Sequence, residues 1–300
     1  MLQQLISLKN MDKSNRWIKN YHIVKESVVE YIEEGAFFHG AALSYYTLFA
    51  LVPIIFLTIS TFGRIVGSER MLIIINDVFK NNVGIQDTSS FMSYLQSMHL
   101  DKNGLLIEIV GFILLMYTCS AFLVSLKRSI NDFFEIKVKR REKQNIIKSV
   151  IGFRFVSILF LAFFAFIIIL FYFLQIFILS FMESNIFNDN NLLDWTYTLL
   201  NHIFSIASNM LIFIMIFKYL HDGKISWNLA FRGALLTAVI LYASQLLIKF
   251  YLQNYFFMGK SGIASSLFIL LAWVNYSAQI VFFGAKYTYV LGKHIGDPIQ

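Results

Sequence analysis

Apolar residues in this chain fall in long unbroken runs separated by short polar ones. The runs cover roughly 40–62, 105–126, 151–182, 197–217, 228–248 and 263–290. A helix rises about 1.5 Å per residue, so about 20 apolar residues cross the roughly 30 Å hydrocarbon layer of a bilayer. Each run reaches that length. An unpaired backbone group in lipid costs several kcal/mol, so runs of this kind must be helical. The pattern predicts an all-α polytopic membrane protein with six transmembrane helices, flanked by short amphipathic interfacial helices. The transmembrane domain spans 40–291, preceded by a segment 1–39 and followed by a tail 292–300.

The polar segments add detail. The stretch 63–104 is too long for a turn. Met71, Ile74, Ile75, Val78 and Phe79 recur at helical spacing, as do Phe91, Tyr94, Leu95 and Met98. They predict two short amphipathic helices, with Glu69, Asp77, Lys80 and Asp87 on the wet side. Residues 17–38 predict an interfacial helix before the first span. The third run exceeds what a bilayer needs, so it tilts or projects.

Orientation follows from charge. The loop 127–149 holds Lys127, Arg128, Lys137, Lys139, Arg140, Arg141, Lys143 and Lys148, whereas the loop after the third run holds Glu183, Asp189 and Asp194 and no Lys or Arg. Basic loops stay in the cytoplasm. Both termini, Lys218, Lys224 and Lys293 fall on that same side if six helices cross, and 63–104 falls outside. No short apolar run follows the first basic residues, so the first span is expected to be an uncleaved anchor, and Met11 is as plausible a start as Met1.

Composition agrees. Of 300 residues 57% are hydrophobic and 14% charged, against about 25% charged in soluble domains. The net charge of +7 would suit nucleic acid, but its confinement to loops of one side is a topology signal. Nucleic acid is therefore not an expected partner. Membrane lipids are, and envelope proteins are a second candidate class; the oligomeric state is left open. The lone Cys119 allows no intrachain disulfide and reads as a packing residue.

Candidate chemistry lies inside the spans. The first carries Ser44, Tyr45 and Tyr46 near its start, and Pro53 removes a helical hydrogen bond near its middle. That reads either as a packed, kinked helix or as a broken helix beside a substrate path. The fourth opens on a polar stripe, Asn201, Ser205, Ser208 and Asn209, with His202 beside it. The sixth carries Trp273, Asn275, Tyr276, Ser277 and Gln279. Amides buried in hydrocarbon need partners or a wet cavity. Arg64, Arg154 and Lys286 sit near span ends, where they could anchor at the interface or hold lipid phosphate; Glu108 is a candidate partner for Arg64. There is no metal-ligand spacing among the six histidines, no nucleophile elbow and no phosphate loop. No catalytic residue, metal or cofactor is expected. No span has an acidic residue near its middle, which weakens a carboxylate proton relay.

Several of these residues together resemble the YihY / virulence factor BrkB family. Ala41–Pro53 (AALSYYTLFALVP) is similar to that family's first-span signature. The likeness continues through Ser129–Asp132, Gly233–Leu236, Gly262, Leu271–Tyr276 and Gly284–Ala285, over nearly the whole chain. Two positions depart from the pattern: Lys286 stands where members commonly have glutamate, and Phe268 stands about where many have proline. A carboxylate role at 286 therefore does not transfer. The resemblance brings along an old ribonuclease label, but RNA cleavage needs metal-binding carboxylates or acid/base pairs, and none is visible here. It also implies handling of envelope lipids.

The expectation is thus a multi-pass protein of the cell inner membrane, not an enzyme, that moves or accommodates a lipid-like molecule. The path candidates are Ser44, Tyr45, Pro53, Asn201, Ser205, Asn209, Trp273, Asn275, Tyr276 and Gln279, lining a cavity between spans one, four, five and six. The rival is a non-transporting scaffold acting through its basic loop; a membrane enzyme is the least favoured alternative.

Overall fold

The computed structural model of the chain describes residues 2–77, 88–89, 92–93, 105–136, 190–255 and 263–299, with scattered positions between 159 and 177. Among the described residues there are seven helices and no strand: α1 (Leu2–Glu33), α2 (Ala36–Val66), α3 (Ser68–Asp77), α4 (Leu105–Phe133), α5 (Asn190–Tyr219), α6 (Trp227–Tyr255) and α7 (Ile263–Ile295). Four stretches within them are long and apolar enough to cross a membrane: Ile109–Phe133, Thr198–Tyr219, Trp227–Tyr251 and Phe268–Ile295. They correspond to the second, fourth, fifth and sixth apolar runs. The third run, 151–182, lies almost wholly outside the described residues, as does the amphipathic helix expected around 91–98.

Three expectations change. The helix expected over 17–38 extends further back, to Leu2, and stops at Glu33, because Gly35 takes a left-handed φ of 68° and turns the chain into α2. The helix that carries the first apolar run therefore starts at Ala36 rather than Gly40, and its described apolar part, Ala36–Leu51, is shorter than the four spanning stretches. The broken-helix reading at Pro53 fails: α2 is helical without interruption from Ala36 to Val66. A proline deletes one rung of the ladder, and the rungs on either side suffice to carry the helix through. Finally, α7 runs on to Ile295, into the segment 292–300 expected as a tail. After Gly296 (φ 77°) the Asp297 N–H donates to Gly292 O at 3.0 Å, and the Asp297 carboxylate accepts from the Ser226 hydroxyl. Ser226 is the N-cap of α6, its Oγ accepting from Leu229 N–H at 3.2 Å. A carboxylate there also meets the positive end of the helix dipole.

The first amphipathic helix of 63–104 is present as α3, folded back on α2 after a turn at Gly67 (φ 96°). Met71 and Ile75 face inward, and Ile74 faces out.

α7 is the hub. It packs against α1, α2, α4 and α6, while α5 packs along α6. The α6–α7 crossing is reciprocal. Each helix carries the same five-residue pattern, Gly233-Ala-Leu-Leu-Thr237 and Gly284-Ala-Lys-Tyr-Thr288. In the antiparallel pair each glycine receives the other helix's threonine: a Cβ on Gly233 would lie 1.8 Å from Thr288 Oγ1, and one on Gly284 would lie 1.8 Å from Thr237 Oγ1. Both threonine hydroxyls donate within their own helix, Thr237 to Gly233 O at 2.7 Å and Thr288 to Gly284 O at 2.6 Å. The close approach therefore leaves no buried hydroxyl unsatisfied. Small residues spaced by four let backbones meet where lipid offers no hydrophobic drive to bring helices together.

Polar links gather six helix ends at one end of the bundle. His39 Nδ1 bonds Ser129 Oγ at 2.8 Å, joining the start of α2 to the end of α4. Asp222, between α5 and α6, accepts from Lys127 at 2.6 Å and Asn131 Nδ2 at 2.9 Å, while its own N–H donates to Asn131 Oδ1 at 3.0 Å. Beneath these links Phe133 stacks on Phe282 at 5.2 Å and on Tyr31 at 6.0 Å. The end of α4 and the end of α5 thus lie at the same end of the bundle. The start of α5 is a helix length away, about 45 Å for 30 residues.

Candidate functional site

The densest chemistry lies at the polar end, around Lys286. This residue is on the last third of α7 and is fully buried, 0% exposed. Its ammonium sits 2.6 Å from Glu34 Oε1, 3.0 Å from Glu135 Oε1 and 3.0 Å from Glu30 Oε2. Three donors thus face three carboxylates, which come from α1, the turn after it and the turn after α4. One helical turn further on Tyr289 donates to Glu135 Oε2 at 2.7 Å, and two turns on Lys293 lies 3.5 Å from Glu30 Oε1. Both ammonium groups rest over the Tyr289 ring, at 4.6 and 4.4 Å from its centroid. His294 and Glu26 continue the line at 2.7 Å.

The backbone is bent to serve this arrangement. Glu135 occupies the left-handed position after α4 (φ 52°), with Ile136 N–H bonded to Asn131 O and Glu135 N–H to Asp132 O, both at 2.9 Å. Glycine normally ends a helix this way; a side chain there costs roughly 1–2 kcal/mol. A glycine would supply no carboxylate to Lys286. On Glu135 burial pushes the carboxyl upward, but the hydrogen bonds from Tyr289 and Lys286 outweigh it and hold it below its ordinary range. On Glu34 burial wins, and the carboxyl titrates above its ordinary range despite Lys286. Its second oxygen is buried without a hydrogen bond among the described residues.

His221 is a separate buried group in the turn after α5. Its Nδ1 accepts from Gly223 N–H at 3.0 Å and its Nε2 bonds Phe217 O at 2.7 Å. This fixes a neutral ring protonated on Nε2. Burial, partly offset by the Phe217 bond, lowers its pKa below 6.5. Below pH 6.5 the unfolded chain takes up a proton that the folded chain refuses, so stability falls as the pH drops from 6.5 toward the lowered value. Thermal unfolding in detergent between pH 7.5 and 5 should show this loss, and His221→Gln should flatten it.

The predicted path residues separate onto two seams. Ser44 is buried and donates to Gly40 O at 2.8 Å. Gly40 in turn lies against Asn275 and Gln279 of α7, which bond each other. These form one polar patch on the α2–α7 seam. Tyr45 and Tyr276 face outward; Tyr45 lies on Phe49 at 4.6 Å between centroids, and Trp273 is half-buried. On α5, Asn201 is exposed, Ser205, Ser208 and Asn209 are half-buried, and Ser205 donates to Asn201 O at 2.8 Å. His202 Nδ1 bonds the Tyr242 hydroxyl of α6. The side chains of Pro53, Arg64, Glu108 and Arg154 lie outside the described residues. Lys286, read beforehand as an interfacial cation, is instead enclosed by carboxylates.

The sequence reading missed Glu30, Glu34 and Glu135. The first two had a signal: Glu26, Glu30 and Glu34 recur every fourth residue, on one helical face. It also missed the paired Gly-Ala-x-x-Thr pattern, which is visible once α6 and α7 are written one above the other.

Apolar helices of spanning length around a hub helix, fastened at one end by a buried ionic cluster, define a helical integral membrane protein. Residues 27–299 match the virulence factor BrkB family, and the chain belongs to it. Neither the curated proteins nor the solved structures give a match to the chain.

Proposed function

We propose that this BrkB-family protein crosses the cell inner membrane six times and moves or accommodates a lipid-like amphiphile. The polar end of the bundle is the cytoplasmic end, because the basic loop 127–149 leaves from it. The chain leaves α4 at that end and enters α5 at the other. Six crossings would require an odd number between residues 136 and 190, and we assign one to the apolar run 151–182 from its length and hydropathy.

The observation that carries the cargo reading is the stripe on α5. Ser205, Ser208 and Asn209 are only half-buried within a span otherwise apolar, and the Asn209 side chain has no hydrogen-bond partner among the described residues. Amides in hydrocarbon are costly unless a polar group meets them. A lipid headgroup passing along α5 is such a group. The seam of Ser44, Asn275 and Gln279 is a second polar patch at which a headgroup could pause.

Purified protein in vesicles should accelerate the crossing of labelled phospholipids or polyprenyl-linked lipids between leaflets. Asn209→Leu should slow it while leaving the unfolding temperature unchanged. A crossing rate equal to that of protein-free vesicles for every lipid class would end this reading.

A further inference from the structure

Helix α1 is amphipathic in the reverse sense for a helix at the edge of a soluble surface. The face it turns to the bundle carries Glu26 and Glu30 beside Ile23 and Ser27, Glu34 follows in the turn, and these acids meet Lys286, Lys293 and His294 of α7. The face it turns outward is apolar. Ile18, Tyr21, Val24, Val28, Val29 and Ile32 are all exposed, Tyr21 by 67% and Ile32 by 58%. At 100° per residue these six fall in one arc of about 140°. Lys25 is the only charge inside that arc; His22 and the exposed Glu33 lie about 20° and 40° beyond its edge, and Lys19 about 80° beyond it.

The stripe does not stop at the end of α1. Past the Gly35 turn it is continued by Phe37 and Phe38 (83% exposed), then by Tyr45 and Phe49 on the outer side of α2. That part of α2 is the start of a transmembrane run, so its outer side faces acyl chains. An apolar strip this long in water would be a large unfavourable exposure.

We propose that α1 lies in the cytoplasmic headgroup layer of the bilayer, with the Ile18–Ile32 stripe in contact with the upper acyl chains. In that position the Lys25 stem runs along the apolar face and its ammonium reaches lipid phosphate. Glu26, Glu30 and Glu34 face away from the anionic surface and are neutralised by α7, whereas Glu33 stays in water beside the stripe. The ionic cluster thereby does two things: it ties α1 to the hub, and it keeps three like-charged groups off the lipid. This inference depends on membrane insertion and is independent of any cargo.

The test uses the full chain with Cys119→Ala, carrying one added cysteine at Val29, at Ile32 or, for comparison, at Glu33, each labelled with an environment-sensitive fluorophore. The protein is reconstituted in vesicles of mixed zwitterionic and anionic phospholipid. Labels at 29 and 32 should be quenched several-fold more by lipids bearing a nitroxide high on the acyl chain than by aqueous iodide. The label at 33 should show the weaker lipid quenching. Stronger quenching by iodide at 29 and 32 would overturn the proposal. So would efficient disulfide cross-linking of Val29→Cys between two copies, which would place a second copy on the stripe. These positions are exposed, so the variants fold, and unfolding temperature checks that they do.

Discussion

Replacing Lys286 with methionine should destabilise the protein by about 3–5 kcal/mol, the usual cost of removing one partner from a buried ion cluster. Glu30, Glu34 and Glu135 would remain side by side with only Lys293, at 3.5 Å from Glu30 and 3.9 Å from Glu135, to offset them. The variant should unfold at markedly lower temperature in detergent, and the loss should shrink on acidification as the carboxylates protonate. Adding Glu34→Gln should restore part of it, since Glu34 is the carboxylate that burial already favours neutral. Lys286→Arg should fall in between: it keeps the charge, but a planar fork does not fit where a compact ammonium meets three separate oxygens. Unchanged stability in Lys286→Met would mean the cluster is not formed.

The second large effect belongs to the α6–α7 crossing. Gly284→Ala or Gly233→Ala places a methyl 1.8 Å from a threonine oxygen and 2.8 Å from its Cβ, on a stiff β-branched side chain. The helices must separate, at a cost of about 1–3 kcal/mol or more, even though alanine is by itself the better helix former by about 1 kcal/mol. Gly40→Ala is the internal control. Its new methyl would meet Gln279 Cγ at 3.1 Å and Asn275 O at 3.4 Å, and the flexible glutamine can give way. That variant should be near neutral. Unfolding temperatures of the three in one detergent check the order; equal effects at 40 and 284 would refute the interlocked crossing.

Four of the six expected spans, in the second, fourth, fifth and sixth apolar runs, were legible in the sequence because length and hydropathy are properties of one segment at a time. α3 was legible for the same reason, from Met71 and Ile75 at helical spacing. The Lys286 cluster was not. Its hydrogen-bond partners lie 252 and 151 positions away along the chain, and a lysine near the end of an apolar run, read alone, looks like an interfacial anchor. Glu135 was hidden further, since a non-glycine residue in a left-handed helix cap carries no local signature. The break between α1 and α2 was written in Gly35, but a single glycine among helix formers does not announce whether the chain will turn. Pro53 misled in the opposite direction: it signalled a break that the helix does not take. The separation of the polar stripes onto two seams depended on which helices neighbour the hub, and periodicity holds no information on that.

The crossing proposed between α4 and α5 is the point on which the six-span reading turns. With Cys119 replaced by alanine, single cysteines at Lys139 and Asn190 should react oppositely with a membrane-impermeant maleimide. Asn190→Cys should label in intact cells, whereas Lys139→Cys should label only after the membrane is opened, as Lys224→Cys should beside it. Labelling of positions 139 and 190 from the same side would show that the chain between them does not cross the bilayer an odd number of times, and the topology drawn here would be wrong.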